Sequence, residues 1–162
     1  MTEPPKVSLY WIQPERSESQ INASEMRPDS PEWAAQELHL FIVTDVGKPV
    51  YTRYGTVQMV STILCTCAAI TLLMDTLHEE LDHFKAGSST FVFLRRQLLV
   101  FIAVSKSSLP VSYLFKQLTY LYSLFLSLFS KNVLVKISQT QSYDFRQIAE
   151  ANRPAWDGVI NN

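Results

Sequence analysis

The residues best suited to chemistry in this chain of 162 residues are a lysine in a tight corner and two histidines further along. Lys48 stands in Gly-Lys-Pro, inside the stretch FIVTDVGKPVYTRYG, where a lysine beside a glycine suggests phosphate binding. A phosphate-binding loop needs the frame Gly-x-x-x-x-Gly-Lys-Ser/Thr ahead of a helix, and this corner lacks it. Gly47 suits a positive φ, and Pro49 restricts Lys48 to extended geometry. The corner therefore predicts a hairpin turn with Lys48 at its tip.

The histidines His78 and His83 bracket the segment HEELDH, which at first sight suggests a zinc-binding helix. The metalloprotease pattern places its two histidines four residues apart, on one face of a helix. Here they are five residues apart, which separates them by about 140° around a helix. No metal site is predicted, and His39 is interpreted as an isolated residue on a strand surface.

The two cysteines, Cys65 and Cys67, are separated by one residue. On a helix this spacing places them about 200° apart, which disfavours a disulfide or a shared metal, so we interpret them as packing thiols. The sequence has no Gly-x-Ser-x-Gly nucleophile elbow. We therefore predict no cofactor and no enzyme that makes or breaks covalent bonds. A small enzyme using the cysteines, or His78 and His83, is the disfavoured alternative.

Arg95 and Arg96 form the basic pair that needs an interpretation. They either keep a hairpin tip soluble or contact a partner or acidic membrane lipids, and both interpretations stay open. The formal net charge of −1 gives no reason to expect nucleic acid, because binding to phosphates requires clustered Lys and Arg.

The composition, 47% hydrophobic and 18% charged, is typical of one globular domain. The apolar stretches 59–74 and 118–129 are shorter than the roughly 20 residues of a membrane span, so we interpret them as core helices of a soluble protein. No signal peptide is predicted. Residues 1–36 are polar and rich in proline, and we interpret them as a disordered leader.

Periodicity predicts strands over 38–44 and 50–54, a helix over 56–81 and an edge strand over 83–87. Two further strands over 90–106 meet at Arg95-Arg96-Gln97, and helices over 110–130 and 131–139 precede a last short helix capped by Asp144. The order β-β-α-β-β-β-α-α indicates an α+β fold with a five-stranded antiparallel-type sheet sandwiched by helices. We place the domain at 37–155 and a short tail at 156–162.

Within these elements, Thr56 is the predicted N-cap of the first long helix. Met59, Ile63, Ala69 or Ile70, and Leu73 lie on one apolar stripe of that helix. The alternation over 50–54 predicts a half-exposed strand, with Tyr51 and Arg53 on the side away from Val50, Thr52 and Tyr54.

Four stretches follow one another in a recognisable order: FIVTDVGKPVYTRYG, FKAGSSTFVFLRRQLLVFIAVSK, QLTYLYSLFLSLFS and QSYDFR. Trp33 stands ahead of the first strand. In these features the chain resembles the first longin domain of the SAND/Mon-one family of vacuolar fusion proteins, over residues 33–153.

This resemblance implies a longin fold and a role outside covalent catalysis. Proteins of this family pair, longin to longin, with a Ccz-one-type subunit, and the pair is a guanine-nucleotide exchange factor for a late-endosomal Rab GTPase. It further implies a cytoplasmic protein that is recruited peripherally to late endosome or vacuole membranes. By analogy, the edge strand near 83–86 and the helix 56–81 form the subunit interface.

Partner contacts are accordingly expected on this strand and helix and on the hairpin, where Tyr51, Arg53 and Tyr54 are taken as exposed contact side chains. The complete set of predicted partner-binding residues is Lys48, Tyr51, Arg53, Tyr54, Met59, Ile63, His83 and Lys85. Arg95 and Arg96 are the predicted contacts to lipid or partner.

Two features depart from the family pattern. Family members usually have several hundred residues with two further longin domains, whereas this sequence ends at Asn162, so a truncated product, a splice form, a diverged paralogue or a fragment is expected. The corner at Arg95-Arg96-Gln97 lacks the Gly or Pro that the family tends to place there, so its turn is expected to differ. The alternative function is a stand-alone longin adaptor that binds a tether, coat or SNARE without exchange activity.

Overall fold

Five strands and four α-helices make up most of the described chain, which comprises residues 23–106, 108–128 and 145–160 of a computed structural model. The strands are β1 (Leu38–Thr44), β2 (Pro49–Thr52), β3 (His83–Ala86), β4 (Ser89–Arg96) and β5 (Leu99–Ser105). The helices are α1 (Pro31–Ala35), α2 (Val57–Thr76), α3 (Val111–Leu128) and α4 (Phe145–Ile160). The strands form one sheet in the order β2-β1-β5-β4-β3, and every neighbouring pair is antiparallel. The predicted fold class is confirmed.

The central strands β1 and β5 are apolar because both faces of the sheet are covered. They pair along their whole length, from Leu38 opposite Ser105 to Thr44 opposite Leu99. Successive side chains of a strand point to opposite faces. Leu40 and Ile42 therefore belong to one core and Phe41 and Val43 to the other, and all four are at most 2% exposed.

One core lies between the sheet and the helices α3 and α4. Helix α3 turns one apolar stripe towards this core, and the members of that stripe in the following list are buried. The helical members of the cluster are Leu114, Leu118, Leu121, Phe125, Phe145, Ala149 and Trp156. The apolar stretch 118–129, interpreted from the sequence as part of a core helix, packs as predicted over its described residues.

The other core lies beneath α2, which begins at the predicted cap. Thr56 has extended geometry, and its hydroxyl oxygen accepts a hydrogen bond from the Met59 backbone N–H at 3.4 Å. The buried residues of α2 are Val57, Val60, Leu64, Cys67 and Thr71. The stripe that the sequence singled out on this helix is therefore not the one that packs on the sheet.

The N-terminal segment corrects the prediction of a disordered leader over residues 1–36. Ser30 caps α1, with its side-chain oxygen accepting from the Trp33 N–H at 3.2 Å, and Trp33 is only 6% exposed. The Gly55 N–H donates to the Ala23 carbonyl at 2.7 Å, which ties this segment to the start of α2. The segment 23–36 is ordered because one large aromatic side chain reaches the core. Residues 1–22 lie outside the described residues.

The C-terminal boundary predicted at residue 155 is also wrong. Helix α4 continues to Ile160, and Trp156 is 2% exposed within the core beneath α4. The residues assigned to a short tail therefore include part of the core. The helix predicted over 131–139, with Asp144, lies outside the described residues.

Helix α2 is longer than the apolar stretch that suggested it, with 20 residues. Among the described helices it is the one long and apolar enough to span a membrane by length and composition. Its length contradicts the expectation, drawn from the 16 residues of 59–74, that this apolar segment is too short to span a membrane. One face of this helix packs on the sheet, as in a core helix of an α+β domain.

The turn between β4 and β5 has a glutamine where a glycine is usual. Gln97 and Leu98 form a two-residue connection, and Gln97 has φ of +54°. Hairpins of this length favour residues that tolerate positive φ, most often glycine. The turn therefore keeps the short hairpin geometry at the expense of backbone strain at one glutamine.

Candidate interaction surface

A second apolar stripe runs along α2 and faces away from the sheet. Its members follow the spacing 4-3-4-3, which keeps them on one side of a helix. We define the α2 stripe as Met59, Ile63, Thr66, Ile70 and Leu73. Met59, Ile63 and Leu73 are 44%, 36% and 59% exposed, and Ile70 is half-buried. Each of the first four members is followed directly by a buried residue of α2. Consecutive residues of a helix are about 100° apart around its axis, so the stripe lies about 100° from the face that packs on the sheet.

Charge is missing from this helix over most of its length. No Asp, Glu, Lys or Arg occurs between Val57 and Met74, although most of these residues are not buried. Leu72, 62% exposed, widens the apolar surface beside the stripe. A surface helix normally carries charged residues on its outer face, and contiguous exposed apolar surface marks an interaction site. Sequence reasoning passed over Leu72, and the missing charges were the signal that could have found it.

The strand β3 offers a second kind of contact. It ends the sheet, so its outer edge has no strand partner among the described residues, and His83 and Lys85 are exposed. Phe84 stacks on Phe91 with ring centroids 4.7 Å apart, and both half-buried rings lie on the face of the sheet that carries α2. An open strand edge can pair with a strand of another chain.

The two arginines of the predicted basic pair point to opposite faces of β4. Arg95 turns towards α2, where Nη1 lies 2.6 Å from the Asp75 carboxylate and Nη2 donates to the Thr71 carbonyl at 2.9 Å. Arg96 turns the other way, with its guanidinium carbon 6.0 Å from the Tyr122 ring centroid. Neighbouring residues of a strand point to opposite faces, so the two arginines do not form one basic surface. Arg95 instead complements the carbonyl end of α2.

Tyr51 corrects the prediction of an exposed contact. It is 2% exposed, its hydroxyl donates to the Asp157 carboxylate at 2.8 Å, and its ring lies edge-on to Trp156 with centroids 5.0 Å apart. Burial, reinforced by Asp157, raises the pKa of Tyr51 above its ordinary value. Strand β2 is an edge strand whose two faces are covered by α2 and α4. The alternation of side chains along this strand therefore did not predict which of them are exposed.

Tyr54 is also buried, at 9% exposed, and packs with Trp33 rather than facing a partner. The guanidinium carbon of Arg53 lies 5.1 Å from the Tyr54 ring centroid, and Arg53 is half-buried. Lys48 is exposed at the turn, where its backbone N–H donates to the Thr44 hydroxyl at 2.9 Å. Gly47 has the predicted positive φ, +85°. Of the predicted hairpin contacts, Lys48 alone is exposed as a side chain.

A buried ion network that sequence reasoning missed holds α4 against β2. Arg153 is 6% exposed, and its Nη2 donates to the Gly55 carbonyl at 2.5 Å. Its Nε lies 3.6 Å from the Asp157 carboxylate, which also accepts from Tyr51. Arg153 and Asp157 are four residues apart, a spacing that brings opposite charges together on a helix. That signal was available, but the predicted domain boundary at 155 separated the two residues.

The remaining candidates for chemistry are separated in the fold. His78 lies in the turn after α2 with φ of +58°, and His83 lies on β3, so HEELDH is not one helix. Within the described ranges, no three His, Cys, Asp or Glu side chains are grouped to hold a metal. Cys65 is exposed and Cys67 is buried, and burial raises the pKa of the Cys67 thiol to about 11. This thiol is protonated at neutral pH, so it is not a ready nucleophile.

His39 is buried instead of lying on a strand surface. It is 4% exposed, and its ring packs against Trp33 with centroids 4.3 Å apart and the two planes tilted by 30°. Burial, together with the positive charges of Lys106 and Arg53, lowers the pKa of His39 to about 4, against an opposing effect of the hydrogen bond to the Trp33 backbone. This neutral imidazole joins the N-terminal segment to β1.

Lowering the pH is expected to weaken this contact. The pKa of an unfolded histidine is about 6.5, above the folded value, so the unfolded state binds the extra proton as pH falls from 6.5 towards 4. We expect the free energy of unfolding to fall by about 2–3 kcal/mol more in the wild type than in His39→Leu between pH 7 and pH 4. Urea unfolding at both pH values measures this difference. His83→Gln, at an exposed histidine, is the control, and equal pH dependence in wild type and His39→Leu would contradict the prediction.

Comparison with known proteins places these observations in a family. A family model described as the first longin domain of FUZ, MON1 and HPS1 matches residues 38–159. The vacuolar fusion protein MON1 homolog A of Homo sapiens is 29% identical over 129 residues, which cover 79% of this chain and 20% of that protein. The human homolog B is 24% identical over 136 residues, or 83% of this chain and 25% of the relative.

Protein SAND of Takifugu rubripes is 26% identical over 143 residues, covering 88% of this chain and 28% of that protein. The chain thus spans between a fifth and just over a quarter of the length of these relatives. The family match includes α4 and ends beyond Trp156, in agreement with the packing of that helix. With its antiparallel sheet between helices and this match over most of its length, the chain belongs to the family of first longin domains of FUZ, MON1 and HPS1.

Proposed function

We propose that this chain is a vesicle-trafficking interaction protein, the longin subunit of a guanine-nucleotide exchange complex for a late-endosomal Rab GTPase. The observation that carries the proposal is the uncharged, exposed α2 stripe, which a protein partner would cover. The relatives are named as vacuolar fusion proteins, a role in which such a complex would act. The complex would promote fusion of endosomes with the vacuole.

The partner is a Ccz-one-type longin subunit that presents an apolar helix of its own. The heptad-like spacing of the α2 stripe allows side chains of two helices to interlock along a seam. Met59 and Ile63 are the central contacts, and the exposed edge of β3, with His83 and Lys85, extends the interface. Pairing would bury apolar surface that is exposed to water in the isolated chain, which favours association.

Exchange requires no acid, base or metal from this chain. An exchange factor accelerates nucleotide release by binding the nucleotide-free GTPase more tightly than the nucleotide-bound form. The combined surface of the two longin domains would bind the nucleotide-free Rab more tightly than the nucleotide-bound form. Lys48, at the exposed turn, is available to contact the Rab. The complex would act at the cytoplasmic surface of late endosomes, to which it is recruited peripherally.

Nucleotide-release kinetics test this function. The Rab is loaded with a fluorescent guanine nucleotide, and release is followed with this chain alone, with the Ccz-one-type subunit alone and with both together. We expect acceleration only with both, because each chain provides half of the GTPase-binding surface. Stable pairing without accelerated release would contradict exchange activity by this chain and favour the adaptor function. Failure to pair would contradict the proposal itself.

A further inference from the structure

The α2 stripe has a spacing that reads the same in both directions along the helix. Leu77 follows Leu73 by four residues and extends the stripe, because its backbone N–H still donates to the Leu73 carbonyl at 3.1 Å. The side chain of Leu77 is 59% exposed. The stripe and Leu77 together have the spacing 4-3-4-3-4 from Met59 onwards, which is symmetric about the position of Ala68. A helix with such a stripe is complementary to an antiparallel copy of itself.

Antiparallel pairing about a twofold axis at Ala68 aligns the stripe in three kinds of layer, each of which occurs twice. Every layer contains one residue from each copy. The layers are Met59 with Leu77, Ile63 with Leu73, and Thr66 with Ile70. Side chains that alternate by three and four positions interlock as knobs into holes along such a seam. Five of the six residues are large and apolar, so pairing removes apolar surface from water.

Thr66, at the centre of the seam, is the polar member of the stripe, and its hydroxyl group already has a partner. The hydroxyl donates to the Thr62 carbonyl of the same helix at 2.9 Å. Burying a polar group without a hydrogen-bond partner would oppose association. A second copy that covers Thr66 leaves its hydroxyl donor satisfied, so this residue does not prevent pairing.

The charges around α2 also suit a second copy of this chain. Charges beside an apolar seam select the partner helix, and like charges disfavour self-pairing. Residues 57–74 carry no charge, so two copies do not repel each other along the seam. In the antiparallel alignment, the exposed Glu79 and Glu80 lie level with the first turn of the other copy's α2, which contains no acidic residue. Carboxylates stabilise the N-terminal end of a helix, so both ends of the seam gain a favourable contact.

We propose that two copies of this chain pair through their α2 stripes, antiparallel, about a twofold axis at Ala68. The seam is one helix wide and smaller than the standard interface of about 1,600 Å², and small interfaces form weak, transient complexes. The pairing is therefore concentration-dependent. It uses the surface proposed for the Ccz-one-type subunit, so the subunit and the second copy exclude each other. Self-pairing requires neither that subunit nor exchange activity.

Sedimentation equilibrium of the full chain over about 5 to 500 µM, a range suited to weak complexes, tests self-pairing. We expect the mean mass to rise from 18.5 kDa towards twice that value. Thr66→Leu should strengthen self-pairing by about tenfold, because both central layers gain apolar contact.

The matched control is Thr76→Leu. Thr76 is another exposed threonine of α2 whose hydroxyl donates within the helix, to the Leu72 carbonyl at 3.0 Å. It precedes Leu77 by one position and so lies about 100° away from the seam. Its replacement should leave the dissociation constant unchanged. A mass of one chain at every concentration, or equal strengthening in both variants, would overturn the proposal.

Spin labels determine the direction of pairing. The label is attached to Gln58→Cys in a Cys65→Ser background, since Gln58 is exposed and Cys67 is buried. Gln58 lies ten residues before Ala68, so antiparallel pairing separates the two labels by 20 residues, or about 30 Å along the seam. Parallel pairing would place them level, on helix axes about 8–10 Å apart. A separation below about 20 Å by double electron–electron resonance would contradict the antiparallel seam. Both experiments use this chain alone, so their outcome is distinguishable from that of the exchange assay.

Discussion

Replacing Ile63 with aspartate is expected to abolish pairing with the Ccz-one-type subunit while leaving the fold intact. Ile63 lies in the N-terminal half of the α2 stripe, between Met59 and Thr66, and is 36% exposed. Pairing would bury the new carboxylate without a partner in an uncharged seam, which costs several kcal/mol. We expect binding at least about 100-fold weaker, as at a central interface residue. Because Ile63 is 36% exposed in the isolated chain, the variant should still fold, with a loss of about 1–2 kcal/mol in the free energy of unfolding from the covered part of the side chain.

Isothermal titration calorimetry with the purified subunit measures the change in affinity, and urea unfolding measures the stability of the variant. Tyr120→Asp is the matched control, because Tyr120 is a large side chain, 48% exposed, on α3 across the sheet from α2. The control should pair as the wild type does. Undiminished pairing of Ile63→Asp, or an equal loss in Tyr120→Asp, would show that the α2 stripe is not the interface.

Replacing Trp156 with alanine is expected to lower the free energy of unfolding by about 3–5 kcal/mol, the range for removing a buried large aromatic side chain. Trp156 is 2% exposed and lies within 5.8 Å, between ring centroids, of Phe125 on α3 and 5.0 Å of Tyr51 on β2. Its removal would leave a cavity where α3, α4 and β2 meet. Equilibrium unfolding in urea, followed by circular dichroism, measures the difference.

Gln147→Ala provides the control within the same helix, because Gln147 is exposed and the substitution leaves the core untouched. It should change the stability by less than about 0.5 kcal/mol. A cost below about 1 kcal/mol for Trp156→Ala would contradict a structural role of Trp156 in the core.

The sequence by itself determined the fold class, the five strands and the two long helices α2 and α3. The unbroken apolar run of β1 indicated a central strand covered on at least one face, and Thr56 marked the start of α2 by its capping side chain. Gly47 and Pro49 specified the hairpin turn through backbone geometry alone. These features depend on residues close to one another in the chain. The order of motifs around them was specific enough to indicate the longin family, which the family match confirms.

The tertiary structure decided which of several equally apolar faces is buried. Helix α2 carries two stripes with the same spacing, and periodicity cannot tell the stripe beginning at Met59 from the one beginning at Val60. Only the position of the sheet buries Val60 and leaves Met59 exposed. The same limit explains Tyr51, since an edge strand is covered or exposed according to helices distant in the sequence.

Contacts between residues that are distant in the sequence could not be predicted from local patterns either. Trp33 orders a polar, proline-rich segment because its ring packs against His39 of β1 and against Tyr54, which lies between β2 and α2. Arg153 can be buried because the carbonyl of Gly55, 98 residues earlier, accepts a hydrogen bond from its Nη2. Local propensity fixes the conformation of short segments, but burial depends on which segments meet. For this protein, the elements followed from the sequence, whereas the exposed surface that a partner would use followed from their packing.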